Sequence, residues 1–135
     1  MLIAMVIFAM LLDSPPAVAA PIEWHCTYTK VCFGEEQRCE EVKNFELRFT
    51  TDTIEQETVT FGNMGMSDVL TWPGSDGVTF IEHLETGAIQ TTTISKTGQS
   101  VHSRHTLMLG NLVPSQYYGT CRPRALASGR TKSDR

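Results

Sequence analysis

Residues 78–109 read VTFIEHLETGAIQTTTISKTGQSVHSRHTLML, and this stretch decides the fold. Three runs rich in Val, Ile, Thr and Phe are separated by two short turns, ETG at 85–87 and KTG at 96–98. β-Branched and aromatic side chains fit a pleated, half-buried surface. Both turns end in Gly, which a three-residue hairpin loop needs at its positive-φ position. The stretch reads as a three-stranded antiparallel meander.

The same texture continues on both sides. Upstream, Ile22, Trp24, Cys26 and Tyr28 alternate with Glu23, His25, Thr27 and Thr29, the period-2 pattern of a half-buried strand. Phe45, Leu47 and Phe49 alternate with Glu46 and Arg48 in a second strand, and 54–61 and 66–72 supply two more before the turn PGSDG at 73–77. Downstream, residues 111–115 read as a turn and 116–121 as a short last strand. No helix-period segment is found after residue 20. Seven or eight short antiparallel strands at regular spacing predict an all-β fold, a small barrel or a sandwich.

The chain has 135 residues, a length suited to one domain. Residues 1–12 are almost wholly apolar, and the small-residue run AVAA follows at 17–20. The run is too short to cross a bilayer as a helix. It reads as a secretory signal peptide over 1–19, although no Lys or Arg precedes it. That leaves a β domain over 20–121 and a tail over 122–135. The body, 21–121, carries thirteen acids against six bases, whereas the tail carries five bases against one acid. An acidic body is a poor nucleic-acid binder. The tail lacks hydrophobic periodicity and reads as disordered.

Export changes how the cysteines read. Cys26, Cys32, Cys39 and Cys121 are an even set in an oxidising compartment, so two disulfides are expected. Four cysteines allow three connectivities, and sequence alone does not choose among them. The strand layout favours Cys32 with Cys39, stapling one hairpin, and Cys26 with Cys121, tying the first strand to the last. The second bridge places those strands side by side and favours closure into a barrel, which removes exposed edges. No C-x-x-C pair is present, so no zinc site or other metal is expected.

The opening W-x-C (Trp24, Cys26), the closing SQYYGTC (115–121) and the SVHSRHT run (100–106) together resemble short, uncharacterised exported all-β proteins of Gram-negative bacteria. That resemblance implies no activity.

The turns also fix a register. With three-residue loops, Leu84 pairs with Ala88 and Ser95 with Gln99. Counting outward, Glu82 lies opposite Gln90, which lies opposite Arg104, and these three share one face. His83, Ile89 and His105 form the next rung on the other face. The two histidines stand two strand spacings apart, roughly 10 Å, too far to share a metal. The rung of Glu82, Gln90 and Arg104 has two readings. One is a polar site inside a barrel, able to hold a small anionic or hydroxylated ligand; the apolar Val78, Phe80, Leu84 and Ile94 on the same face support it. The other, which we favour for stability, is an exposed cross-strand ion pair of under about 1 kcal/mol. His25, His102 and His105 are expected on the surface.

Catalysis finds little support. There is no G-x-S-x-G, and Ser103 between His102 and His105 is sequence adjacency only. The acid pairs Glu35, Glu36 and Glu40, Glu41 put neighbouring carboxylates on opposite strand faces, so they are solvated charges. No catalytic residue and no cofactor is expected. The expected function is that of a small, monomeric, non-enzymatic exported protein, periplasmic or secreted, that binds a small ligand or an envelope component. It has no membrane span after signal cleavage. The alternative is a structural or inhibitor-like protein that presents the Cys32–Cys39 hairpin to another protein.

Overall fold

The computed structural model describes residues 20–34, 38–54, 57–62 and 68–126. The signal peptide expected over 1–19 lies outside the described residues, as do 127–135 of the expected tail. Among the described residues every regular element is a strand: β1 (Ile22–Phe33), β2 (Arg38–Ile54), β3 (Glu57–Phe61), β4 (Asp68–Gly74), β5 (Gly77–His83), β6 (Ile89–Ser95), β7 (Gln99–Met108) and β8 (Asn111–Ala125). Each strand pairs antiparallel with the next, and β8 returns to pair with β1, so the sheet is a closed barrel in meander order. Among the described residues no helix is long and apolar enough to cross a membrane.

The two meander turns behave as their glycines require. Gly87 and Gly98 both sit at φ 83°, and their amides bond to the Leu84 and Ser95 carbonyls. The register that follows is the expected one: Glu82 opposite Gln90, Gln90 opposite Arg104, and His83, Ile89 and His105 on the adjacent rung.

Two strands are longer than their side-chain patterns suggest. β2 starts at Arg38, because Arg38, Cys39, Glu40 and Glu41 pair with Phe33, Cys32, Val31 and Lys30. β8 runs from Asn111 to Ala125, so the expected turn at 111–115 is strand, and the chain reverses instead at Leu109 and Gly110. Past Cys121, where the tail was expected to begin, Arg122 to Ala125 pair with His25 to Ile22. The reason is the same in both places. These residues bury little, but their backbone groups complete a ladder with β1, and the ladder does not depend on side-chain polarity.

The β1–β8 seam closes the sheet. Cys26 faces Cys121 across it, with Cα atoms 3.9 Å apart, and the two form a disulfide. Cys32 and Cys39 form the second. These bridges are consistent with an oxidising extracellular or periplasmic location. Between Tyr28 and Lys30 the register of β1 shifts, leaving Thr29 as an extra residue. This bulge keeps Val31 on the inner face with Cys26 and Tyr28, all three buried. Opposite Tyr28 stands Gly119, where a Cβ would collide with the Thr27 carbonyl oxygen and lie 2.7 Å from the Tyr28 Cα. Only glycine lets the two backbones approach this closely.

The lower core is apolar: Cys26, Leu47, Phe49, Phe80, Ile94 and Cys121 are buried together, with Trp24 and Val78 packed against them. Phe49 and Phe80 stack at 4.5 Å. In the chain-entropy model a bridge closing about 95 residues contributes about 4.7 kcal/mol, against roughly 2.4 for one closing seven. Gly119→Ala should therefore cost about 2–3 kcal/mol by forcing the bridged seam apart. Gly74→Ala should cost under about 1 kcal/mol, because the Cβ there meets only an ordinary contact at 3.6 Å. Urea melts of the oxidised proteins measure both.

Candidate functional site

In a meander the connections alternate between the two ends of the sheet. The turns after β1, β3, β5 and β7 share one end, called the mouth here. Following the register around the barrel, the rung nearest the mouth runs Thr60, Val69, Glu82, Gln90, Arg104, Ser115 and Phe33. The next rung inward runs Thr71, Phe80, Thr92, His102, Tyr117 and Val31. The polar residues of the interior are concentrated in these two rungs.

This corrects the favoured reading of the first rung. Glu82 is only 7% exposed, and Gln90 and Arg104 are half-buried. The rung faces inward because its face is that of Phe80 and Ile94, which are buried; a strand cannot bury one and expose the other without slipping register. His102 is corrected with it. It is 0% exposed, since it lies two residues from Arg104 and so shares its face. The signal was present in that spacing. His25 is half-buried by residue and meets Glu46 at 3.1 Å on the outer face. His105 is exposed.

The polar interior is partly satisfied. Tyr28 Oη and Ser100 Oγ are 3.1 Å apart, and burial pushes the Tyr28 phenol above its usual range. Thr60 Oγ1 joins Thr51 and Thr71 in a chain of hydroxyls, at 3.1 and 2.6 Å. His102 Nδ1 lies 2.8 Å from Thr92 Oγ1, while its Nε2 is buried with no hydrogen-bond partner among the described residues. The rings of Tyr28, Phe45 and Tyr117 surround it at 5.8 to 6.0 Å. Burial, and then the charge of Arg104, lowers its pKa to about 4. The imidazole is neutral at pH 7.

Arg104 is the cation of the site. Its guanidinium carbon lies 5.5 Å from the Phe45 ring centre and 5.8 Å from that of Tyr117, and those two rings meet at 4.4 Å, tilted by 31°. A cation–π contact of this kind consumes none of the N–H donors. Nε is buried with no partner among the described residues. Arg104 and Ser115 also border a cleft of about 330 Å³ at the rim, whose other walls, Cys32, Ser103, His105, Pro114, Gln116 and Tyr118, belong to the outer face. Glu82 and Gln90 stand in the same rung but outside this cleft. A hollow of about 460 Å³ at the opposite end, against Trp24, Val78 and Ile94, holds, among the described residues, no buried polar group without a partner. Among the described residues no group of three His, Cys, Asp or Glu is placed to hold a metal.

No family model, curated protein or solved structure matches this chain.

The buried histidine gives a pH prediction. Its pKa is depressed in the folded state, so the unfolded chain binds the proton more readily, near pH 6.5. Stability from neutral His102 is full above about pH 6.5 and is lost as pH falls toward 4. The loss is on the order of 3 kcal/mol. His102→Gln should flatten the fall in unfolding free energy between pH 7 and pH 4.5. Parallel pH profiles for the two proteins would show that the imidazole is not the group responsible.

Proposed function

We propose that this is a small, non-enzymatic exported protein, periplasmic or secreted, that binds a small anionic or hydroxylated ligand at the mouth of a β-barrel through Arg104. The observation that carries the reading is the state of Arg104. A guanidinium seated over two neighbouring aromatic rings, beside a 330 Å³ cleft, keeps a buried Nε–H with no acceptor among the described residues. Leaving a buried donor unsatisfied costs about 1–3 kcal/mol, and more for a charged group. A ligand that supplies an acceptor recovers that cost on binding. Carboxylate and phosphate oxygens match the donor fork of Arg best. An eight-stranded barrel has an interior just wide enough to be filled by side chains or to hold one small ligand. Glu82 and Gln90 stand beside Arg104 in the same inward rung. Export is supported by the apolar run at 1–12 followed by small residues, and by the two disulfides. The protein acts as a monomer.

A second reading rests on the other hairpin of the mouth. Arg38, Cys39, Glu40 and Glu41 are exposed on a hairpin stapled by Cys32 and Cys39, a shape suited to presentation to a partner protein.

Titrating the protein with phosphate, acetate and a neutral sugar, followed by the NMR signals of Arg104 Nε–H and Tyr117, separates the two. Under the ligand reading an anion or sugar shifts those signals saturably, and Arg104→Met abolishes the shift. No saturable shift with any of the three would remove the ligand reading and leave the hairpin.

A further inference from the structure

Charge is divided between two sides of the barrel's exterior. Outward on β1 and β2 stand Glu23, Lys30, Glu41, Glu46 and Arg48. The other side is built from β4 to β8. Between Val69 and Cys121 the only Asp, Glu, Lys and Arg residues are Asp76, Glu82, Glu85, Lys96 and Arg104. Glu82 and Arg104 belong to the inward rung, and the other three sit in turns between strands. From residue 69 to 121, the outer face of five adjacent strands therefore carries no Asp, Glu, Lys or Arg. Its two histidines, His83 and His105, stand at the mouth.

Hydroxyl groups framed by aromatic rings replace charge on this side. One outward rung runs Trp72, Thr79, Thr93, Val101 and Tyr118. The next runs Leu70, Ile81, Thr91, Ser103 and Gln116. Neighbouring strands are about 4.8 Å apart, so Trp72 and Tyr118 stand roughly 19 Å apart along the curve of the sheet. Trp72 is 68% exposed. Thr79 and Thr93 join their hydroxyls at 3.0 Å, and a pair so joined keeps one O–H and further lone pairs for a ligand. Tyr118 donates its hydroxyl to Gln116 Oε1 at 2.8 Å, and Lys30 Nζ lies 5.6 Å from its ring centre. Lys30 stands opposite Glu41, so that end of the rung gains no net charge. Beside Tyr118 the surface is concave. A hollow of about 460 Å³ there has Thr93, Ser95, Gln99 and Val101 among its walls.

Each class of partner makes a different demand on such a face. Nucleic acids and anionic lipids need clustered Lys or Arg, and this face has none. A protein partner binds through a central cluster of aromatic or Arg side chains, where Ser and Thr are under-represented. Here the centre is Thr79, Thr91, Thr93 and Ser103, and the exposed aliphatic residues lie at the margins. Leu70 is at one edge, and Leu107 and Leu112 lie farther out, where β7 and β8 run past their neighbours as a two-stranded ribbon. A sugar ring makes the demand this face meets. Its hydroxyls take uncharged donors and acceptors, and its C–H faces pack on aromatic rings.

We propose that the outer face of β4 to β8 binds a neutral glycan, at a site outside the barrel and separate from Arg104. One sugar ring seats in the hollow against Tyr118, and the chain crosses the threonine hydroxyls toward Trp72. The excess of acids over bases in the body disfavours an anionic glycan.

The test is a titration of the full chain, disulfides formed, with three neutral tetrasaccharides of different linkage: maltotetraose, cellotetraose and tetra-N-acetylchitotetraose. Their monosaccharides and tetragalacturonate are the controls. NMR signals of the Trp72 indole N–H and the Tyr118 ring report this face, and those of Arg104 Nε–H and Tyr117 report the mouth. At least one neutral tetrasaccharide should shift Trp72 and Tyr118 saturably. It should bind about tenfold more tightly than its own monosaccharide, and tetragalacturonate about tenfold more weakly. Trp72→Ala and Tyr118→Ala, both at exposed positions, should each weaken binding about fivefold or more. Thr93→Glu, which puts a carboxylate in the middle of the rung, should do the same, whereas Glu46→Gln on the charged side should leave affinity unchanged. Unaltered Phe49 and Phe80 signals would show that each variant keeps its core. No saturable shift at Trp72 or Tyr118 with any of the three at millimolar concentration would overturn the proposal. So would shifts confined to Arg104 and Tyr117, which would move the sugar to the mouth, and so would equal affinity for tetragalacturonate. Self-association that Trp72→Ala abolishes and no sugar affects would give the face to a second copy and overturn the proposal as well.

Discussion

Everything inside this molecule depends on the seam between the first and last strands. Eight consecutive hairpin-connected strands form a curved ribbon with two open edges, and open edges invite pairing with other chains. Here the edges pair with each other over most of the length of β1. The Cys26–Cys121 bridge holds the pairing covalently, and Gly119 permits the close approach at Tyr28. Once the ring is shut, each strand has one face that sees no solvent, and the period of two decides which residues occupy it.

The interior so formed is unequal along its axis. Toward the end opposite the mouth it is apolar, built on Phe49, Phe80, Ile94 and the buried disulfide. Toward the mouth it holds Glu82, Thr92, Ser100, His102 and Ser115, all buried. A barrel of this size is more stable with aliphatic residues at those positions, since each buried polar group gives up its water and regains at most a hydrogen bond. Tyr28 with Ser100, and Thr92 with His102, are compensated in that way. Arg104 Nε and His102 Nε2 are not, among the described residues. Both lie in the two rungs next to the mouth.

The mouth itself combines opposites. A stapled, charged hairpin at 38–41 stands beside an uncharged aliphatic ribbon at 106–113, with the Arg104 cleft at their base. The lower barrel plays no direct part in this. Its rigidity holds Phe45 and Tyr117 where they seat the guanidinium.

Much of this was determined by the sequence alone. The ETG and KTG turns place glycine where positive φ is needed, so the meander and its register followed from local chemistry, down to Glu82 opposite Gln90 opposite Arg104. The two disulfides followed from an even cysteine count and the strand layout. Strand ends at 38–41 and 122–125 were not legible, because their side chains resemble loops while their backbones pair with β1. Which face of the meander is inside was decided only by the tertiary structure. Both faces carry a mixture of apolar and polar residues: Phe80, Glu82, Ile94 and His102 on one, and Ile81, His83, Ile89 and Val101 on the other. Local pattern therefore does not choose between them. Closure does, because it turns one face of every strand inward at once and commits His102 and Glu82 together with Phe80 and Ile94.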